Sequence, residues 1–150
     1  MLNLDGLRAN LGELWIPEIY REQIRPLRTR SFGMDIAERE GSPEITHTLL
    51  GIELKVGKLR ISTPDLATAR YLCVFARIGC REVAVPYDIS RISGIADTLE
   101  TGWQRMNLLL QGTTTRTRNL AIKTVRGEIA DIGAGDLMPE FKTPTRRQPK

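Results

Sequence analysis

The spacing of apolar residues along the chain changes several times, and each change predicts a different element. Leucines recur every three or four positions over residues 4–15, which predicts a short amphipathic helix. Residues 28–38 and 46–61 instead alternate apolar side chains with polar or small ones, which is the period of a β-strand. Because the segment between these two stretches is short and rich in turn residues, we expect the two strands to pair antiparallel.

The middle of the chain predicts a buried helix followed by a strand. Ser62 and Thr63 precede a proline and are suited to cap the start of a helix, and Gly79 is suited to end it. Residues 80–87 form a short apolar run that predicts a third strand. Because a helix connects this strand to the one before it, we expect the two strands to lie parallel.

The last part of the chain predicts a long helix and a basic tail. Residues 90–111 repeat apolar side chains at helical spacing, and the resulting apolar face is either an interface between copies or buried within one copy. Residues 120–125 give a weak further strand signal. We interpret residues 1–135 as a single domain and residues 136–150 as a flexible tail. The order of elements predicts an α/β fold in which helices flank a mixed central sheet.

Composition narrows the class of protein. The chain has 150 residues, of which 41% are hydrophobic, so it can bury a core and is not expected to be disordered. No apolar run approaches the length of a membrane span, and the N-terminus lacks the layout of a signal peptide. We therefore expect a cytoplasmic protein without a membrane partner. Two cysteines and one histidine do not suffice for a disulfide framework or a Cys/His zinc site.

Basic residues gather in separate stretches, although the net charge is only +4. Clusters of this kind are typical of surfaces that bind a polyanion such as nucleic acid, and the alternative interpretation is an ordinary solvated surface. We expect DNA as the partner. The residues expected to contact its phosphates are Arg25, Arg28, Arg30, Lys58, Arg116, Arg118 and Lys123.

Three residues on the two alternating strands carry the candidate chemistry. Asp35, Glu53 and Lys55 all lie opposite the apolar stripes of their strands, and pairing of the strands would bring them together. Two carboxylates bind a hard cation such as Mg²⁺ through oxygen, and the backbone carbonyl of Leu54 is a natural further ligand. The metal would polarise a phosphodiester and lower the pKa of a bound water, while the lysine would orient that water.

The segments FGMDIAERE and LLGIELKVGK, at 32–40 and 49–58, resemble the PD-(D/E)xK nuclease superfamily. In that superfamily an acidic residue on one strand precedes E-x-K on the next, and a helix and a strand follow. Residues 28–87 repeat this order. The small size and the arginine-rich entry to the first strand are also similar to archaeal-type Holliday junction resolvases, and small homing and restriction endonucleases stay open. The resemblance implies a restriction-endonuclease-like core.

The resemblance also implies roles for individual residues. Asp35 would be the first metal ligand, Glu53 the second, and Lys55 the catalytic lysine. Many members add a glutamate from the first helix, and Glu13 is the nearest candidate. Met34 stands where many members have proline, which is a departure from the motif. A second E-x-K pattern at 140–142 lies in the tail without strand alternation, so we discard it.

These observations together predict an Mg²⁺-dependent DNA endonuclease that cuts duplex or branched DNA. Two cuts need two sites, so we expect a homodimer or a homotetramer. One alternative is a non-catalytic DNA-binding or regulatory protein that keeps the fold, and another is a scaffold that binds proteins only. At the level of the site, the alternative is a cross-strand ion pair between Asp35 and Lys55 that leaves Glu53 as surface.

Overall fold

The computed structural model describes residues 3–34 and 42–135, and it shows a mixed α/β protein with two small antiparallel sheets. Asp35 and the tail at 136–150 therefore lie outside the described residues. In chain order the elements are α1 (Leu4–Leu11), a 3-10 turn (Gly12–Leu14), α2 (Ile16–Ile19), a π-helical turn (Tyr20–Ile24), β1 (Thr29–Gly33), β2 (Glu44–Thr48), β3 (Gly51–Val56), β4 (Leu59–Thr63), α3 (Leu66–Ile78), β5 (Glu82–Pro86), α4 (Ile89–Leu109) and α5 (Thr115–Ile132).

The stretch that was predicted as one long strand forms the antiparallel meander β2–β3–β4. Gly51 and Gly57 both have positive φ, and they allow the chain to reverse direction before and after β3. Both edges of β3 are therefore occupied, by β2 on one side and β4 on the other. The prediction that β1 pairs with the E-x-K strand is wrong, because within the described residues β3 has no edge left for β1.

The second sheet joins β1 to β5 in antiparallel register, with Ser31 opposite Ala84. The other edge of β5 is closed by two buried tyrosines. The Ala84 N–H donates to the Tyr20 hydroxyl at 2.9 Å, and the Tyr71 hydroxyl donates to the Ala84 carbonyl at 2.5 Å. The expectation of a parallel partner for β5 is therefore wrong in the described residues. At Ala84, side-chain hydroxyls satisfy the two backbone groups that such a partner would use.

Helix α3 forms the centre of the molecule, because it packs against the β2–β3–β4 sheet on one side and against α4 on the other. Asp65 caps its start by accepting a hydrogen bond from the Thr68 N–H at 2.7 Å. The predicted caps, Ser62 and Thr63, belong instead to β4, which continues up to the proline before the helix. The predicted end at Gly79 is confirmed, with a left-handed φ of 94°.

Helix α5 occupies the stretch for which a strand was predicted at 120–125. Thr114 caps its start, and its buried residues Ala121, Val125 and Ile129 recur every four positions, which is a helical period. The prediction of a strand at 120–125 is wrong, because the buried residues of this stretch follow the helical period. Local β-propensity is a weak signal when a capped helix can bury the same residues.

Helix α4 confirms the predicted helix at 90–111, and its apolar face is buried within the chain. It packs mainly against α3 and also against α1, α2 and the 3-10 turn. At Gly102 an added Cβ would lie 2.5 Å from the Leu14 carbonyl oxygen, so the backbones approach closely there. This face was expected either to form an interface between copies or to be buried within one copy. Burial within one copy is confirmed for the residues that are buried here. In the described ranges no helix is long and apolar enough to cross a bilayer.

Candidate active site on the polar face of a three-stranded sheet

Strand β3 presents two faces of different chemistry. Leu54 and Val56 point into the core beneath α3, where they are buried. Glu53 and Lys55 lie on the opposite face, as the alternation in the sequence predicted. The predicted pairing of these two side chains on one side of a strand is therefore confirmed.

The neighbouring strands determine what surrounds Glu53. Thr46 of β2 and Ser62 of β4 are its cross-strand partners, so the carboxylate is flanked by two short hydroxyl side chains. Its side chain is 21% exposed, whereas Arg60 is 64% exposed. Both cross-strand neighbours are therefore short, and the Glu53 carboxylate is itself mostly covered.

Lys55 lies between one acidic and one basic residue on the neighbouring strands. Its cross-strand partners are Glu44 on β2 and Arg60 on β4. Glu44 and Glu53 are therefore diagonal neighbours on one face, a relation that places Cβ atoms about 7–8 Å apart or somewhat less. Two glutamate side chains at that separation can direct their carboxylates toward one cation. Glu44 was not a predicted site residue, because the strand was expected to begin only at residue 46.

Arg60 competes for Glu53. Its Nη1 atom lies 3.9 Å from the Glu53 Oε1 atom, which is the outer limit of an ion pair. Because Arg60 is largely exposed, solvent screens this attraction, and such pairs contribute at most about 1 kcal/mol. The ion pair is therefore weak enough for a divalent cation or a phosphate to displace it.

Leu54 lies on β3 itself, and the other predicted metal ligand, Asp35, lies outside the described residues. The residue before it, Met34, is buried, and its N–H donates to the Arg81 carbonyl at 2.7 Å. Leu54 lies in the middle strand of a ladder whose carbonyls accept hydrogen bonds from both neighbours, so a metal would have to share its oxygen.

Glu13 lies in a different part of the molecule. It is exposed on the 3-10 turn, which packs against α2 and α4, whereas β3 packs against α3. A role in the same site as Glu53 therefore has no support from the fold. Among residues 3–34 and 42–135, no group of three or more His, Cys, Asp or Glu side chains is arranged to hold a metal ion.

The residues predicted to bind DNA are distributed over separate elements, and some have partners within the chain. Arg25 donates to the Thr29 hydroxyl at 3.1 Å and to the Ala134 carbonyl at 3.4 Å, so it supports the fold. Arg28 stacks on the Tyr87 ring, with its guanidinium carbon 5.6 Å from the ring centre. The other predicted contacts are Arg30 on β1, Lys58 in the β3–β4 turn, and Arg116, Arg118 and Lys123 on α5.

The two cysteines are not candidates for catalysis. Both are free and buried. Burial raises the pKa of the Cys80 thiol to about 12 and also raises the pKa of Cys73. Both side chains therefore stay protonated and unreactive at neutral pH, as expected for structural thiols.

Comparison with known proteins adds no relative: no family model, no curated protein and no solved structure matches this chain.

Proposed function

We propose that this protein is a metal-dependent DNA endonuclease whose site lies on the polar face of β3. The observation that carries the proposal is the pairing of the partly covered Glu53 carboxylate with Lys55, two residues further along the same face. Glu44, diagonal to Glu53, offers a second carboxylate within the described residues. The predicted ligand Asp35 remains part of the proposal.

The chemistry follows from these groups. Glu53, with Glu44 or Asp35, would hold Mg²⁺ through carboxylate oxygens. When bound, the metal supplies charge stabilisation for the phosphoryl oxygens and a more acidic water. Lys55 then orients the attacking water and offsets the negative charge that grows on the phosphate. The hydroxyls of Thr46 and Ser62, the cross-strand neighbours of Glu53, would donate hydrogen bonds to phosphate oxygens.

The proposal extends to the assembly. A double-strand cut needs two active sites that face two strands of opposite polarity, so we propose a two-fold symmetric homo-oligomer. The oligomer would place two β3 faces on one DNA molecule. A single subunit, which has one active site, would cut only one strand at a time.

A nicking assay tests this function. Supercoiled plasmid is incubated with the purified protein, with and without Mg²⁺, and the relaxed and linear forms are measured. We expect Mg²⁺-dependent nicking that falls by roughly 10²–10⁴-fold in Lys55→Ala, the range for loss of a positioned proton-transfer group. The matched control is Arg77→Ala, which removes an exposed basic residue of α3 and should leave the rate unchanged. Equal nicking by Lys55→Ala would refute the assignment.

The second candidate is a DNA-binding protein without catalysis, and one observation favours it. Each charge on the polar face has a neighbour of opposite sign, Glu53 beside Arg60 and Lys55 beside Glu44. On this alternative the four residues only form cross-strand ion pairs. It predicts binding of the plasmid with a steep salt dependence and no nicking under any metal condition.

A further inference from the structure

A groove formed by residues of α4 and α5 is a second candidate binding site, separate from the site on β3. It lies between the C-terminal half of α4 and the start of α5, and its volume is about 420 Å³. This volume falls in the range of roughly 300–1,000 Å³ that is typical of small-ligand sites. The groove is lined by Trp103, Gln104, Asn107, Leu108, Gln111 and Arg118.

The aromatic residue in this groove differs from the other tryptophan of the chain. Trp15 is 2% exposed, and its indole N–H donates to the Glu128 carboxylate at 2.8 Å, so it is a core residue. Trp103 is only partly buried, and the remainder of its ring lines the groove. A large aromatic surface left open to a groove is suited to stacking with a flat ligand.

The cation beside Trp103 is held in place by a short chain of hydrogen bonds. The Asn107 amide donates to the Trp103 carbonyl at 2.8 Å and accepts from the Arg118 guanidinium at 2.5 Å. Arginine has five N–H donors, and this contact uses one of them. Arg118 is thereby fixed at the groove by a neutral amide, so its full positive charge remains available to a ligand.

The charge around the groove is strongly one-sided. Between Thr101 and Gly127 the sequence contains five basic residues and no acidic residue. The whole chain carries 22 Lys and Arg against 18 Asp and Glu, so everything outside this segment has a net charge of −1. The two helices that form the groove carry six basic and four acidic residues, a net charge of +2, and all four acidic residues lie outside the 101–127 segment, which favours an anionic ligand at the groove.

These features together specify a ligand that has a flat ring and a negative charge next to it. A nucleotide has both, because its base stacks on an aromatic ring while its phosphate binds a guanidinium. The amides of Gln104 and Gln111 offer donors and acceptors to the edge of a base. An apolar peptide segment would offer no partner to the Arg118 guanidinium or to the Gln104 and Gln111 amides that line the groove.

We infer that this groove binds a nucleotide unit of single-stranded DNA, with the base on Trp103 and the phosphate at Arg118. The inference rests on the proposed function in one respect, since the DNA substrate supplies the strand. An enzyme with such a groove would prefer DNA in which a base is already unpaired, as at a branch or a frayed end. The groove therefore specifies the substrate class more narrowly than the polar face of β3 does.

Intrinsic fluorescence tests the inference without any cleavage step. The wild-type protein is titrated with an oligo-dT of about 16 nucleotides, a length within the usual span of single-strand sites, in EDTA and at low salt. We expect quenching of tryptophan emission, and we expect this quenching to disappear in Trp103→Phe, in which the buried Trp15 is the remaining emitter. Anisotropy of a labelled oligo-dT measures the affinity of each variant in parallel.

Arg118→Gln should weaken the affinity for oligo-dT by about tenfold at low salt, because it removes one phosphate contact. Arg91→Gln, an exposed arginine at the start of α4, should change it by less than about twofold. Circular dichroism establishes that each variant is folded. Binding of oligo-dT without quenching of Trp103, or no binding at all, would overturn the inference. A change in Trp103 emission with protein concentration alone would also overturn it, because a second copy would then fill the groove.

The two proposals fail in different ways. If oligo-dT quenches Trp103 emission but the protein does not nick plasmid with Mg²⁺, the proposed nuclease activity is refuted and the proposed nucleotide binding in the groove is supported. Nicking of plasmid by a protein whose Trp103 emission does not respond to oligo-dT would refute the groove and leave the nuclease.

Discussion

At the scale of single residues, Gly102 lets helix α4 lie close to the backbone at Leu14, because glycine has no side chain. Gly102 of α4 lies against the turn that follows α1, and the Leu14 carbonyl oxygen occupies the space of a Cβ atom. Gly94 lies on the same helix with no atom within 4 Å of an added Cβ. The sequence pattern places both glycines inside a helix but cannot separate their roles, because the distinction depends on a neighbour 88 positions away along the chain.

This pair of glycines provides a matched test of the packing. Gly102→Ala should lower the free energy of unfolding by about 1–3 kcal/mol, because the added methyl group displaces backbone as well as side chains. Gly94→Ala should raise it by up to about 1 kcal/mol, the usual difference in helix propensity. Urea denaturation followed by circular dichroism measures both. Equal effects of the two substitutions would contradict the close approach at Gly102.

At the scale of elements, Glu128 joins the last helix to the first. Its carboxylate accepts hydrogen bonds from the Trp15 indole at 2.8 Å and from Arg8 of α1 at 3.0 Å. Burial alone would raise the pKa of Glu128, but the bonds from Arg8 and Trp15 outweigh it and lower the pKa below its ordinary value of 4.5. Sequence reasoning missed this contact, because it gave α5 no helical assignment and therefore no face.

A depressed pKa in the folded state stabilises the protein above the ordinary pKa and ceases to do so as pH falls through the folded value. Glu128→Gln should therefore cost about 1–2 kcal/mol at pH 7, and the cost should shrink below about pH 4.5. Glu22→Gln, on the exposed side of the π-helical turn, should cost less than about 0.5 kcal/mol at pH 7. Denaturation at several pH values measures the difference, and a cost that grows toward acid pH would contradict the contact.

At the scale of the whole molecule, local patterns were informative and long-range pairings were not. Alternation placed Glu53 and Lys55 on one face, and helical spacing with a terminal glycine gave α3 and α4. The strand neighbours were predicted wrongly, because Gly51 and Gly57 divide one stretch into three strands and β1 pairs across the sequence with β5. Glu44 entered the candidate site only through this register.

At the same scale, the proposed function requires Glu53 to serve a metal and a phosphate rather than Arg60. If Glu53 is a metal ligand, its function does not depend on Arg60. If Glu53 only forms an ion pair, both Glu53 and Arg60 are needed. Glu53→Gln keeps the shape of the side chain and removes its charge. Arg60→Gln keeps Glu53 charged and removes its competitor, which lies 3.9 Å away.

The most direct measurement is therefore the rate of Mg²⁺-dependent plasmid nicking by the wild type, Glu53→Gln and Arg60→Gln at equal protein concentration. We predict that Glu53→Gln reduces nicking by at least about 10²-fold, in line with loss of a positioned catalytic group, while Arg60→Gln stays within a few-fold of the wild type. Wild-type levels of nicking by Glu53→Gln, or no Mg²⁺-dependent nicking by the wild type, would contradict the account.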